Sequence, residues 1–260
     1  MDEFETRRLE LEAELGEPIT VDGLSSEVRI FQRKKGHRYS TDDLMTAWYA
    51  LEKSPPVTTY LDLGTGIGGV GLLVVSNLPG ATLTCIEAQD ISFRFLQENV
   101  RHNHLEDRVE MHKGDLRELA LDRRFPLISG SPPYFDVSAG VVPADSQKAH
   151  ARFELRGDVS DYARAAHRHL APGGMFVFCF PWAQKQRAVR SVENEGFHIA
   201  FERDVVPRAS LPPLFSLFAC VLDPETPRVV EEPFVVRNEA GVHTDEMHRL
   251  RARFGWPPQL

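Results

Sequence analysis

The chain has 260 residues, 42% of them hydrophobic and 26% charged, with a formal net charge of −8 and a sequence pI of about 5.7. This is globular composition with room for one large α/β core, and it excludes the strongly basic overall field that marks many nucleic-acid binders. No run of about 18 apolar residues occurs, which argues against a membrane span, and the charged start "MDEFETRRLELEAEL" lacks the apolar centre of a signal peptide, so a cytoplasmic location is expected.

Residues 2–15 read as a short charged helix. The alternation in "PITVDGLSSEVRIFQRKKGHR", with Asp22-Gly23 as a turn signal, suggests a β-hairpin. Thr41-Asp42 then caps a helix through "DLMTAWYALEK", stopped by Pro55-Pro56. From residue 57 strand and helix alternate. "VTTYLDLG", "ATLTCIEA", "RVEMHKGD" and "FPLISG" read as strands, with helices in "GGVGLLVVSNL" and "ISFRFLQENVRHN" between them. Residues 136–156 form a long, weakly patterned segment, and such loops are more often functional than idle. Beyond it come the helix "VSDYARAAHRHL", a turn and strand in "APGGMFVFCFP", the helix "AQKQRAVRSVENEG" and the strand "FHIAFERDVV". "SLFACVLD" reads as a last, antiparallel edge strand beside it, and "DEMHRLRARFGWPP" as a short basic and aromatic helix. This rhythm implies a mostly parallel sheet covered on both faces. The expected organisation is a helix-and-hairpin extension over residues 1–54 and a catalytic domain over 55–260.

Cys85, Cys179 and Cys220 each lie in an apolar run, without C-x-x-C spacing, and read as reduced, buried small hydrophobes. His102, His104, His112, His167 and His169 show no zinc-ligand spacing, so no metal is expected.

The stretch "YLDLGTGIGGVGLL" follows a strand and opens a helix. Gly64, Gly66 and Gly68 let the backbone turn tightly and approach a ligand where a Cβ would clash. By itself a glycine-rich turn is common to many folds. Glu87 closes the next strand, where a carboxylate can accept both hydroxyls of a ribose. Asp62 puts a negative charge in the strand before the loop, which suits a cationic or zwitterionic ligand better than a pyrophosphate. Asp115, at the end of the third strand, has two readings: a partner for the exocyclic amine of adenine, or a helix N-cap. Together these acids favour S-adenosylmethionine, which carries a sulfonium, an ammonium and no phosphate.

In this order "LDLGTGIGGVGLL", "IEAQ", "KGDL" and "SPPYF" resemble a class I methyltransferase, and more narrowly the amino-methyltransferases with an (Asn/Asp/Ser)-Pro-Pro-Tyr tetrapeptide. "GHRYSTDDLMTAW", "ARFE" and "VRNEAGVHTDEMHRL" are similar to the bacterial tRNA (adenine-N6) methyltransferase family. The resemblance implies a Rossmann-like fold with a mostly parallel seven-stranded sheet and an antiparallel edge strand. It implies a cofactor site at Tyr39, Thr41, Asp62, Gly64, Thr65, Gly66, Gly68, Glu87, Ala88, Asp115, Leu116 and Ser131, with Tyr39 and Thr41 over the methionine end. It also implies an RNA substrate, tRNA first.

The tetrapeptide Ser131-Pro132-Pro133-Tyr134 then has a chemical reading. An exocyclic amine on a base is a poor nucleophile, because its lone pair is delocalised into the ring. Acceptors aimed at its two N–H groups favour attack on a methyl sulfonium, and the Ser131 hydroxyl and the Pro132 carbonyl are the candidates. Pro133 stiffens the backbone, Tyr134 offers a face for the base, and Phe135 extends it. Ser131 stands where Asn or Asp is commoner, which weakens the case for a protein glutamine amide. Arg33, Lys34, Lys35, His37 and Arg38 read either as phosphate contacts or as a solvated hairpin end. Arg152 and Glu154 read as loop-shaping residues over the target pocket or as a local ion pair. The tail residues His248, Arg249, Arg251, Arg253, Phe254 and Trp256 read as a second RNA contact or a solvated face. The leading expectation is N6-methylation of adenine in tRNA. The rivals are N-methylation of a ribosomal-RNA guanine or a protein glutamine amide, and a non-catalytic RNA-binding module that has kept the cofactor fold.

Overall fold

The computed structural model describes residues 2–135 and 145–257. The chain opens with α1 (Glu3–Leu15), whose N-cap Asp2 accepts from Glu5 N at 2.8 Å. Strands β1 (Ile19–Gly23) and β2 (Arg29–Arg33) form an antiparallel hairpin. Its turn is not at Asp22-Gly23, which still pair with β2. It lies in residues 24–28, where the Ser25 hydroxyl accepts the N–H groups of Glu27 and Val28 and so replaces the glycine turn. The helix α2 (Thr41–Lys53) begins after Ser40, not after Thr41-Asp42. The Ser40 N–H donates to Asp43 Oδ2 at 3.0 Å, as in a capping box.

The main sheet follows from β3 (Thr59–Leu63), β4 (Thr82–Glu87), β5 (Val109–Lys113), β6 (Phe125–Gly130), β7 (Leu170–Pro181), β8 (His198–Arg208) and β9 (Phe215–Val221). Two short strands, β10 (Val229–Val230) and β11 (Phe234–Arg237), were not legible in the sequence and both pair parallel with β8. The order is β10-β8-β9-β7-β6-β3-β4-β5, with β11 also on β8. The antiparallel strand β9 is therefore not at the edge: it is inserted between β7 and β8. Because β9 is antiparallel to both neighbours, β8 and β11 run parallel to β3 and β6. Their carboxyl ends lie at the same edge of the sheet as the glycine loop.

Side chains alternate faces along the strands. Met175, Val177 and Cys179 of β7 join the core on one face, and Phe176, Phe178 and Phe180 the core on the other. The first face is covered by α2, α3 (Gly69–Ser76) and α4 (Asp90–His102). The second is covered by α6 (Val159–His169) and α7 (Lys185–Asn194). Both faces being dry explains the near-continuous apolar strands. Although α2 falls within residues 1–54, it packs directly on the sheet against β9, β7 and β6. The segment read as a long loop contains α5 (Ser146–Arg152), and α8 (Asp245–Arg253) buries Met247 and Leu250. The three cysteines are buried and free. Among the described residues no helix is long and apolar enough to cross a membrane, and no cluster of His, Cys, Asp and Glu suits a metal.

Candidate active site

A cleft of about 390 Å³ opens at the carboxyl ends of β3, β4 and β6, within the range of small-molecule sites and where open α/β sheets bind ligands. Gly64, Thr65, Gly66, Glu87, Ala88, Asp115, Leu116, Tyr39 and the motif Ser131 to Tyr134 all line it. The structure thus brings the glycine loop and the proline motif together, although they lie on strands far apart in the sequence.

The glycine loop is held by its neighbours. Thr65 N donates to Ile86 O at 3.1 Å and Gly68 N to Thr65 O at 2.9 Å. Gly64 and Gly66 both sit at φ +59°, the left-handed region that favours glycine. A Cβ on Gly64 would lie 2.0 Å from the Tyr162 hydroxyl, whereas one on Gly66 would meet nothing within 4 Å and point into the cleft. Gly66 is therefore a place where a ligand can approach the backbone closely. Its N–H donates to Glu87 Oε2 at 2.8 Å, while Glu87 Oε1 accepts from Gln89 N at 2.7 Å. Two N–H groups leave lone pairs of this carboxylate free for hydroxyl donors.

Asp62, expected at the cofactor, does not line the cleft. It is 2% exposed and accepts from Thr65 Oγ1 at 2.5 Å, from the Ser129 hydroxyl and from the Gly71 N–H. Its role is to anchor the loop from below, and Ser129 in turn hydrogen-bonds Tyr60 OH, tying β3 to β6. Gly68 also stands behind the cleft, where a Cβ would strike Leu72 and Leu96. Thr41 is exposed on the first turn of α2 and does not line the cleft. The same turn contributes Asp42 and Asp43 in its place. In the sequence these acids read as helix-start residues, and nothing there distinguishes an acid that caps from one that also faces a ligand.

The floor is acidic. Burial pushes the Asp43 carboxyl up, and the charges of Asp42 and Asp62 push it further. Burial also raises Glu87, against the hydrogen bonds from Gln89 and Gly66. Asp115 goes the other way, because the Arg117 side chain holds it below the ordinary carboxylate range. Asp115 lines the cleft and accepts from Arg117 N at 3.0 Å and Arg117 Nη2 at 2.7 Å; a turn and not a helix follows it, so it is no helix N-cap. Carboxylates crowded at a cost are relieved by a cation, so this floor fits the sulfonium and ammonium of S-adenosylmethionine.

The motif follows β6 directly. Pro132 and Pro133 are buried, and among the described residues no backbone donor reaches the Pro132 carbonyl. The Ser131 hydroxyl lies 3.5 Å from Cys179 Sγ of β7. The Tyr134 ring stands edge-on to Phe180 at 6.5 Å and contacts Phe135 at 4.6 Å. Phe135 itself is outside the cleft: it bridges to Phe153, and its carbonyl accepts from Glu154 N at 3.0 Å. It backs Tyr134 rather than extending the face of the cleft.

The rim is cationic, with Lys34, Arg38, Lys148, His150 and Arg156 among the lining residues. Three of the basic residues expected here need correction. Arg33 is tied to Glu17 and Asp145 and is not available to an external phosphate. Arg38 lines the rim but is paired with Asp22. Lys35 is exposed and does not line the cleft. The side chain of Arg152 lies outside the described residues. Glu154 pairs with Arg187 at 2.6 Å, the local ion-pair reading with a different partner. In the tail, Phe254 is buried, Arg253 binds Glu52, and Trp256 packs on Gly23, so these three are structural. The sequence did not single out Tyr162, which props Gly64 and Gly130, or Gln184, whose partner is the motif itself.

Against known families, a model described as the methyltransferase small domain matches residues 47–189. Over 206 residues the chain is 26% identical to a Vibrio cholerae protein named tRNA1(Val) (adenine(37)-N6)-methyltransferase, covering 79% of this chain and 83% of that one. It is 30% identical over 127 residues to a Bradyrhizobium diazoefficiens protein named ribosomal protein uL3 glutamine methyltransferase, covering 46% and 40%. A solved structure from Agrobacterium tumefaciens, described as a predicted O-methyltransferase, superposes with a TM-score of 0.65 at 15% identity, over 84% of this chain and 99% of that one. That likeness bears on the fold, which is Rossmann-like.

Proposed function

The chain belongs to the methyltransferase small domain family and, on that premise, we propose that it methylates the N6 amine of an adenine in tRNA. It is an S-adenosylmethionine-dependent methyltransferase. The cofactor, when bound, supplies an electrophilic methyl group on a sulfonium. The observation that carries the reading is the placement of Ser131 to Tyr134 in the same cleft as the Gly64–Gly66 loop.

In this reading Asp42 and Asp43 face the positive groups of the donor, Glu87 takes the ribose, and Asp115 and Leu116 flank the adenine ring. The Ser131 hydroxyl and the Pro132 carbonyl accept the two N–H groups of the target amine. Acceptance localises the lone pair on nitrogen and stabilises positive charge as it develops there. No strong base is required, because the methylated ammonium is acidic enough to lose its proton to water. Tyr134 stacks on the target base, a contact that contributes about 1–3 kcal/mol. Lys34, Lys148 and His150 of the rim stand where the flanking phosphates pass. The name of the Vibrio cholerae relative supports adenine in tRNA, and the reading carries a cytoplasmic location with it.

The test is to incubate total RNA and, separately, ribosomal protein with the enzyme and radiolabelled S-adenosylmethionine, then digest and identify the labelled product. N6-methyladenosine from tRNA is the expected result. Label in a guanosine or a glutamine, or no transfer at all, overturns it.

A further inference from the structure

A second cationic group lies away from the cleft, at the far end of the same sheet edge. Arg208 closes β8, Arg237 closes β11, and the two are partners in the parallel register. His243 pairs across from Arg237 in an isolated antiparallel bridge. The His243 and His248 rings meet edge to face at 5.8 Å, and Arg251 follows one turn later on α8. Arg208 Nη2 lies against Gly241, whose carbonyl accepts from Arg237 Nη1 at 2.8 Å. Five basic side chains thus come from two neighbouring strand ends, one short turn and one helix, whose last turn carries Arg251.

Their own partners satisfy them only in part: Arg237 reaches the Gly241 carbonyl, and Arg251 lies over the Trp256 ring at 5.6 Å. His243 Nδ1, His248 Nδ1 and Arg251 Nε are buried nitrogens without a hydrogen-bond partner among the described residues. The acids nearby are engaged elsewhere: Glu239 is bound by Ser210, and Glu246 by Arg203. Asp245, one turn before His248, is exposed and, among the described residues, makes no ion pair with it. Burial disfavours a proton on His243, and so do the charges of Arg237, Arg251 and His248. Like charges gathered without acids cost stability, and an orphaned buried donor such as Arg251 Nε costs more. An anion would offset both.

We infer that Arg208, Arg237, His243, His248 and Arg251 form a phosphate-binding row that grips the backbone of the substrate RNA beyond the target nucleotide. The inference rests on the tRNA reading under Proposed function. Its location supports an extended polyanion: β8 and β11 run parallel to β3 and β6, so the row shares the edge that carries the cleft. Arg251 lies near enough to Tyr39, which lines the cleft, for its charge to act on the phenol. A chain with a net charge of −8 needs such confined basic surface to hold a polyanion at all.

The experiment compares wild type with Arg208→Glu and with His243→Gln, using a full-length tRNA transcript and a short stem-loop that contains only the target region. Affinity is measured by fluorescence anisotropy from 50 to 200 mM KCl, with methylation and S-adenosylmethionine binding in parallel. Each variant should bind the full transcript several-fold more weakly. For Arg208→Glu the slope of log K against log salt should become shallower by about one unit for each phosphate no longer neutralised, whereas His243→Gln, which replaces an imidazole whose proton is disfavoured, should leave the slope nearly unchanged. Cofactor affinity and methylation of the stem-loop should not change. If wild type methylates RNA and the variants match its affinity and salt slope, the row is overturned and the substrate reading stands. If wild type neither binds nor methylates RNA, both fall.

Discussion

The side-chain amide of Gln184 donates to the main-chain carbonyl of Tyr134 across 2.8 Å. Gln184 ends the 3-10 turn Trp182–Gln184 that follows β7, and Tyr134 ends the motif that follows β6. This hydrogen bond helps hold the backbone that carries the Tyr134 ring, beside the ring's contacts with Phe135 and Phe180. Replacing Gln184 by Leu removes the donor and keeps the bulk. A bond of this kind contributes about 1 kcal/mol, so kcat should fall by about fivefold while the S-adenosylmethionine Kd holds. Loss of cofactor affinity instead, measured by calorimetry, would mean that Gln184 supports the fold and not the motif.

Ser131 should matter more. Its hydroxyl is shorter than the Asn or Asp side chain common at this position, and its neighbour is the Cys179 thiol at 3.5 Å. If the hydroxyl hydrogen turns to sulfur, the oxygen lone pairs face the cleft. On the role proposed for Ser131, Ser131→Ala should lower kcat by about 10²–10³-fold. Cys179→Ala leaves the acceptor but frees its orientation and should cost less. Single-turnover rates at saturating cofactor decide it, and equal losses in the two variants would count against the assignment.

The helix–strand alternation was legible because the central strands β3, β4, β6 and β7 are buried on two faces and most helices on one, so their apolar periods differ. The glycine loop and the proline motif were legible because their backbones demand those residues. The rest depends on contacts between distant segments. Asp62 and Thr41 carry the right chemistry at the right positions, but a neighbour decides which way a side chain turns. Thr65 and Ser129 draw Asp62 inward, and the helix phase of α2 aims Asp43, not Thr41, at Gly69. Strand order is likewise set by pairing partners, so β9 read as an edge although it is inserted between β7 and β8. Residues 229–237, where β10 and β11 form, are too short and too proline-interrupted to show a period.

The two cleft glycines should fail in different ways. Gly64→Ala drives a methyl group to within 2.0 Å of the Tyr162 hydroxyl, so the buried Tyr162 ring must move and the fold should lose stability. Gly66→Val meets no protein atom within 4 Å of its Cβ and instead fills space that a ligand needs. Its left-handed φ adds roughly 1–2 kcal/mol of strain. Gly64→Ala should therefore lower Tm the more, and Gly66→Val should abolish measurable S-adenosylmethionine binding in a chain that still melts cooperatively. Retained cofactor affinity in Gly66→Val would place the ligand elsewhere.

Glu87 gives a pH signature. Burial raises its folded-state pKa above the ordinary value of 4.5. The folded chain then holds this proton more tightly than the unfolded chain does. The stability that the proton contributes is fully present below the unfolded pKa and is lost as pH rises through the raised folded value. Glu87→Gln cannot ionise, so it escapes that loss. It does face one N–H group toward Gly66 or Gln89, whose hydrogen bond is broken at every pH. The difference in Tm, variant minus wild type, should therefore begin negative near pH 4.5 and climb as pH rises, while every other titrating group cancels between the two proteins. Melting followed by circular dichroism from about pH 4.5 to about pH 8 reads that slope directly. A difference that stays flat or falls would show that Glu87 is not held in a site that resists its charge, and would leave Asp43 alone to argue for an acidic floor.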